Sequence, residues 1–201
     1  MLNEITAGED IFLEEHDVIV SKTDLKGRIL YVNETFRRIS QFSEQELVGE
    51  PHSIIRHADM PRCIFKLLWQ KLDADEEVFA YVKNRCKNGD YYWVFAHVTP
   101  SYDSTGKKVG YHSNRRVPPQ NERGVIESLY RFLKDIEESY ANKKEGMQAA
   151  YDILRGMLKE QGTTYDQFIF EFASFLSRET IDSFLDDYRP ATHTISQTQN
   201  G

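Results

Sequence analysis

Lys87-Asn88-Gly89-Asp90, followed by Tyr91-Tyr92-Trp93-Val94-Phe95-Ala96-His97-Val98, is the stretch on which the fold turns. Asn-Gly is the strongest short hairpin signal, because both residues tolerate the positive φ of a tight turn. It joins a β-rich run over 78–86 to another over 91–99, and Ser104-Thr105-Gly106 then turns the chain into a third over 108–116. Upstream, two β-rich runs at 17–23 and 28–33 flank Asp24-Leu25-Lys26-Gly27, a first hairpin. Residues 34–49 mix short helical patterns with loop residues. A clearer helix opens at Asp59-Met60-Pro61, where Asp59 is a capping residue type and proline is tolerated in the first turn. Ile64, Leu67, Leu68 and Leu72 follow at helical spacing, with Phe65 and Trp69 on the flank. The order ββ, helices, βββ predicts an α+β fold, an antiparallel sheet with helices segregated to one side.

The run at 91–98 also speaks about burial. Its odd positions are Tyr, Trp, Phe and His, and its even positions are Tyr, Val, Ala and Val. Both faces are largely apolar, whereas an antiparallel sheet commonly keeps one face solvated. The small face suits a ligand pocket or a packed helix. The aromatic face needs a cover: this chain's own helices, a second subunit or a partner.

The composition excludes several classes. The 201 residues allow one domain plus an extension, or two small domains, and 40% hydrophobic residues suffice for a core. Lys and Arg number 25 against 32 Asp and Glu, a net charge of −7, so nucleic-acid binding is not expected. There is no apolar run long enough for a membrane span and no secretory leader, so direct membrane insertion is not expected and a cytoplasmic location is. Cys63 and Cys86 form no CxxC or CxxCH, which argues against a disulfide framework, a zinc site or covalent haem. They read as small buried hydrophobes, and no metal ligands stand out.

The texture changes at Val117-Pro118-Pro119, since adjacent prolines end a strand and do not sit inside a helix. Residues 1–119 carry 16 Lys and Arg against 18 acids, and 120–201 carry 9 against 14, so most of the negative charge lies on the second part. There Ile126, Leu129, Tyr130, Leu133, Ile136 and Tyr140 form an amphipathic stripe, continued by Met147, Ala150, Tyr151, Leu154, Met157 and Leu158. Gly162-Thr163-Thr164 breaks the pattern, with Thr164 as a new cap. Phe168, Phe172, Phe175, Leu176, Ile181, Phe184 and Leu185 complete a helical hairpin or small bundle.

The densest chemistry lies in Pro51-His52-Ser53-Ile54-Ile55-Arg56-His57-Ala58-Asp59-Met60-Pro61, just ahead of the expected helix. A helix N-terminus offers free N–H groups and partial positive charge to an anion, and arginine adds a bidentate fork. A phosphate or pyrophosphate there is chemically sensible. The plain alternative is a capped helix whose Asp59 pairs with Arg56 and whose histidines lie at the surface.

Gly27-Arg-Ile-Leu-Tyr-Val-Asn33, Gly49-Glu-Pro-His52, Ile55-Arg-His-Ala-Asp-Met-Pro61, Lys83-Asn84 and Lys87-Asn-Gly-Asp-Tyr-Tyr-Trp-Val94 together resemble the PAS sensory domain of bacterial aerotaxis (Aer-type) receptors. The resemblance covers roughly residues 18–117 and is most specific in the R-H-x-D-M-P and K-N-G-D-x-Y-W-V runs. It implies a PAS fold, a five-stranded antiparallel sheet with flanking helices, here followed by an all-α C-terminal extension. The segments would be 1–16 N-terminal, 17–119 PAS, 120–189 helical extension and 190–201 disordered tail. It also implies noncovalent FAD. Arg56, His57 and Asp59 match residues tied to FAD binding, and Asn33 and Asn84 match polar pocket positions. Phe65 and Trp69 match apolar positions of the cofactor-facing helix. Two departures stand out: Val78 replaces a tryptophan common in the family, and Ala58 a proline.

The chain is similar above all to the soluble, PAS-only kind that acts beside a separate chemoreceptor subunit. The expected function is therefore a non-enzymatic redox or oxygen sensor that reports FAD's state to a membrane-bound, chemoreceptor-like partner in energy taxis. Association with the membrane would then run through that partner, and a homodimer through the PAS sheet or C-terminal helices stays open. The alternatives are a haem b gas sensor, with His52, His57, His97 or His112 as axial ligand, and a ligandless PAS interaction module.

Overall fold

Hydrogen-bonding side chains at the turns set the strands. The computed structural model describes residues 8–172 and 177–188. Strands β1 (Ile19–Thr23) and β2 (Ile29–Val32) form the first hairpin, where Gly27 takes φ +74°. The Asp24 carboxylate accepts from the Lys26 and Arg28 N–H groups, each at 2.8 Å. Strands β3 (Val78–Arg85) and β4 (Tyr91–Tyr102) form the second, with Gly89 at φ +101°. Its connection is longer than a two-residue Asn-Gly turn: residues 86–90 bridge the strands, and the Cys86 N–H donates to the Asp90 carbonyl at 2.6 Å. Strand β5 (Lys108–Arg116) closes the sheet in the order β2-β1-β5-β4-β3, with every pairing antiparallel. This is the five-stranded PAS sheet.

Strand β4 outruns its expected end at Thr99 and continues through Pro100 to Tyr102. Its register with β3 begins at Val98, opposite Val78, so Pro100 is paired only with β5. A proline is tolerated where one side of a strand has no ladder to donate to.

Short helices α1 (Glu34–Ser40) and α2 (Glu44–Leu47) and a 3₁₀ turn (His52–Ile55) lead to α3 (Arg62–Asp73). After the sheet come α4 (Gln120–Glu138), α5 (Lys143–Glu160), α6 (Tyr165–Gln167) and α7 (Arg178–Asp186). Thr164 does cap α6, in a reciprocal box with Gln167. The stripe that sequence spacing ran to Tyr140 stops earlier: α4 ends at Glu138 and Tyr140 is exposed. Asn142, accepting from the Lys144 N–H at 2.9 Å, starts a separate helix there. Phe175, Leu176 and the expected disordered tail at 190–201 lie outside the described residues.

The two sheet faces are covered differently. Rings of the odd-numbered β4 residues meet the C-terminal helices: Trp93 lies 6.2 Å from Tyr130 of α4, and Phe95 lies 5.7 Å from Phe170. The aromatic face is thus covered by the chain's own helices. The Tyr130 hydroxyl there reaches both the Tyr81 carbonyl (2.9 Å) and the Tyr165 hydroxyl (3.0 Å), while Trp93 Nε1 is left without a partner. Asp59 does not cap α3. Pro61 occupies the cap position without a side-chain bond, and the Cys63 N–H instead donates to Glu137 Oε1 of α4 at 2.8 Å.

Candidate functional site: a cationic cavity under helix α3

The small face of the sheet lines a cavity of about 250 Å³. Val82, Ala96 and Val98 contribute from the strands, and Phe65, Leu68, Trp69 and Leu72 from α3. Those four recur at i, i+3, i+4 and i+7, one face of a helix. At one place the cavity wall is tight: a Cβ on Gly27 would lie 3.1 Å from the Trp69 ring.

Charge sets this cavity apart. Lys26, Arg56 and Arg115 line it and, among the described residues, no carboxylate does, in a chain of net charge −7. Arg115 is 4% exposed, and among the described residues no acid pairs with it. Burial lowers its pKa to about 10, opposed by Tyr92. Its guanidinium donates to Ser21 Oγ at 2.8 Å and to His52 Nε2 at 2.6 Å. That second bond fixes the His52 proton on Nδ1, and burial followed by the Arg115 charge holds this ring far below the usual histidine range. Of the buried donors without partners, three point to this cavity: Asn84 Nδ2, Ser113 Oγ and Arg115 Nη1. Each such group costs about 1–3 kcal/mol, and all three belong to residues that line the cavity. A polar, anionic ligand would satisfy them.

Four residues expected from the sequence meet here: Arg56, Phe65, Trp69 and Asn84. The Arg56 guanidinium lies 3.8 Å from the Phe65 ring centroid, leaving its edges available to donate. Its backbone bridges Asn84 of β3, so the 56–57 segment covers that sheet edge while Asn84 faces inward.

Three expected residues lie elsewhere. Asn33 is spent on the backbone: its Oδ1 caps α1 through the Phe36 N–H and accepts from the Val20 N–H, both at 3.0 Å, and its Nδ2 donates to the Val18 carbonyl. His57 and Asp59 form a separate cluster with Lys83 and Tyr91. Lys83 Nζ lies 2.6 Å from Asp59 Oδ2 and 3.9 Å from the Tyr91 ring centroid, and the Asp59 N–H donates to His57 Nδ1 at 3.1 Å. Burial and then Lys83 lower the His57 pKa. Burial works against ionisation of Asp59, yet Lys83 and His57 hold its carboxyl below the usual range. Neither residue lines the cavity. The plain alternative, a pairing of Asp59 with Arg56, gives way to Asp59 with Lys83.

The helix N-terminus expected to seat a phosphate is also taken. Glu137 already places a carboxylate against the Cys63 N–H, and a second anion there would meet like charge. Val78, the departure from the family pattern, is fully buried but does not line the cavity.

Sequence reasoning missed Arg115, His52 as its partner, and Ser113. Residues 113–116 read as an ordinary strand end, Ser-Asn-Arg-Arg, and only strand register shows that Arg115 points inward beside β1.

Residues 29–115 match the family model described as PAS fold. Over 121 residues the chain is 40% identical to the aerotaxis receptor of Escherichia coli, a match covering 60% of this chain and 24% of that protein. It is 26% identical over 124 residues to the bacterioopsin transcriptional activator of Halobacterium salinarum, covering 59% of this chain and 18% of the relative. Among solved structures, a PAS domain from Colwellia psychrerythraea aligns at TM-score 0.46 and 18% identity, covering 50% of this chain and 86% of that one. The chain thus spans about a quarter or less of these two sequence relatives. Helices α4–α7 lie beyond the residues matched to the family model. The five-stranded antiparallel sheet and the match over residues 29–115 give the chain a PAS fold there, similar in sequence to that of the aerotaxis receptor.

Proposed function

We propose that this chain is a sensor whose PAS cavity holds FAD noncovalently and whose output goes to a chemotaxis partner. The observation that carries the reading is the cavity's charge: three lining cations, no carboxylate, and three buried donors without partners. A flavin presents ring nitrogens and carbonyl oxygens as acceptors, and its dinucleotide carries two phosphates. The cavity's volume, about 250 Å³, falls just below the range of about 300–1,000 Å³ usual for small-molecule sites. It suits the planar ring more than the whole dinucleotide, leaving the phosphates for the exposed Lys26.

Bound FAD supplies reversible electron and proton uptake. The chain supplies the setting in which that change is felt. Arg115 keeps a positive charge in a buried site, which favours whatever ligand state carries more negative charge. Asn84 offers an unpartnered amide N–H pair to an acceptor, and His52 stays neutral with one nitrogen committed to Arg115. A change in ligand charge therefore alters the forces on Arg115, Asn84 and, through Arg56 and Phe65, on α3.

The haem alternative has less support. His52 Nε2 is engaged by Arg115, and His57, His97 and His112 do not line the cavity. A ligandless module would leave the three donors at their full cost. The role is that of a sensor rather than an enzyme, working in the cytoplasm beside a membrane-bound, chemoreceptor-like protein. Among the described residues no helix is long and apolar enough to cross a membrane. The test is an absorption spectrum of the purified full chain before and after dithionite. Twin flavin bands that bleach on reduction are expected; a Soret peak, or a colourless protein after FAD reconstitution, overturns the reading.

A further inference from the structure

Helix α3 has two occupied faces. One carries Phe65, Leu68, Trp69 and Leu72 into the cavity. The other is held by the C-terminal helices: Lys66 bonds Gln148, Gln70 bonds Tyr151, and Lys71 pairs with Asp166. At the helix N-terminus stands Glu137 of α4, 4% exposed, with Oε1 on the Cys63 N–H and Oε2 without a partner. Its carboxylate also acts on Arg56, a cavity residue.

The backbone behind Glu137 is pinned too. A Cβ on Gly146 of α5 would come within 2.3 Å of the Glu137 carbonyl oxygen, so only glycine lets α5 approach this closely. Three helix ends therefore converge on one residue, α3 at the Glu137 carboxylate and α5 at its backbone carbonyl. A single charged hydrogen bond at a helix N-terminus is strong and directional. It turns a shift of α3 into a force on the α4–α5 junction.

We propose that the C-terminal helices read the cavity through α3, with Glu137 as the positioning residue that couples them. The proposal rests on the cofactor reading for its natural stimulus, but not for its geometry. Linkage makes the effect reciprocal: whatever shifts α3 from the cavity side shifts the docking of α5, and loosening α5 changes cavity affinity by the same factor.

Hydrogen exchange on the full chain tests this, with and without FAD, in the natural sequence, Glu137→Ala and Glu137→Gln. Loading FAD is expected to slow exchange over 143–160 at least fivefold in the natural chain. The response persists in Glu137→Gln, whose amide oxygen still accepts from Cys63, and disappears in Glu137→Ala although FAD still binds. An undiminished response in Glu137→Ala, or none in a natural chain that has taken up FAD, overturns the proposal. If no FAD is taken up, the cofactor reading alone fails, and Ala96→Leu crowds the cavity without a ligand. A change over 143–160 that Glu137→Ala removes then supports the coupling, and no change overturns it. Should Glu137→Ala not fold, Tyr151→Phe removes the bond to Gln70 and is expected to halve the response; a full response overturns the coupling.

Discussion

The two faces of one sheet follow opposite rules. On the outer face, aromatic rings meet α4 and the residues after it, and the hydroxyls of Tyr130 and Tyr165 satisfy each other and the β3 backbone. On the inner face, an unpaired arginine, an amide and a hydroxyl are left with open donors around a cavity. The first arrangement is closer to what stability selects: apolar area is removed from water and the two tyrosine hydroxyls are matched, with Trp93 Nε1 the orphaned atom on that face of β4 among the described residues. The second sacrifices stability, and on the function proposed above its residues serve something that binds. The difference separates residues whose groups are spent on the fold from residues whose donors are left open around the cavity.

Truncating the outer face should give the largest effect. Trp93 is 5% exposed, and Trp93→Ala is expected to cost about 3–5 kcal/mol. Thermal unfolding of the full chain checks this, and a loss below about 1 kcal/mol would show that α4 is not seated on the sheet.

Arg115→Met should do the reverse. It removes a buried, unpaired cation, so the ligand-free protein is expected to melt no lower, while FAD affinity falls at least about tenfold, or about 1.4 kcal/mol. Titration with FAD, alongside a melting curve, separates the two. A variant that melts well below the parent but binds FAD normally would place Arg115 among the fold-holding residues and break the comparison.

Acid sharpens the inner face further. The folded-state pKa of His52 lies well below its ordinary value of 6.5, so the unfolded chain binds the extra proton first. Its contribution to stability is therefore complete above about pH 6.5 and is lost as pH falls toward the folded value. The slope is at most about 1.4 kcal/mol per pH unit. Urea melts between pH 7.5 and 5 should show the loss, and His52→Gln should flatten the curve, leaving the smaller share of the half-buried His57.

Tyr130→Phe is the smallest expected change. Losing the hydroxyl bonds to Tyr81 and Tyr165 should cost about 1 kcal/mol in unfolding and leave FAD affinity within about twofold. A tenfold loss of affinity would mean that the two faces are not independent at this position.

Much of the fold could be read from local chemistry. The Asp24 and Asn88-Gly89 turns declare their hairpins because only a few residues tolerate those backbone angles. The α3 stripe declares its inward face by its period. The site was half legible. Phe65, Trp69, Arg56 and Asn84 could be named from the resemblance to aerotaxis receptors. Asn33, His57 and Asp59 share those motifs, but their side chains are engaged by neighbouring backbone or by Lys83. Whether a motif residue faces a ligand depends on which nearby donors are already matched.

By itself, then, the sequence determined the order of strands and helices, the small and aromatic faces of β4, and the negative charge of the C-terminal part, because each follows from residue type and spacing along the chain. Only the tertiary structure decided that Arg115 and His52, 63 residues apart, share a hydrogen bond, and that Glu137 rather than Asp59 closes the N-terminus of α3. Those pairings depend on strand register and on how α4 crosses the molecule, distances that no local pattern encodes.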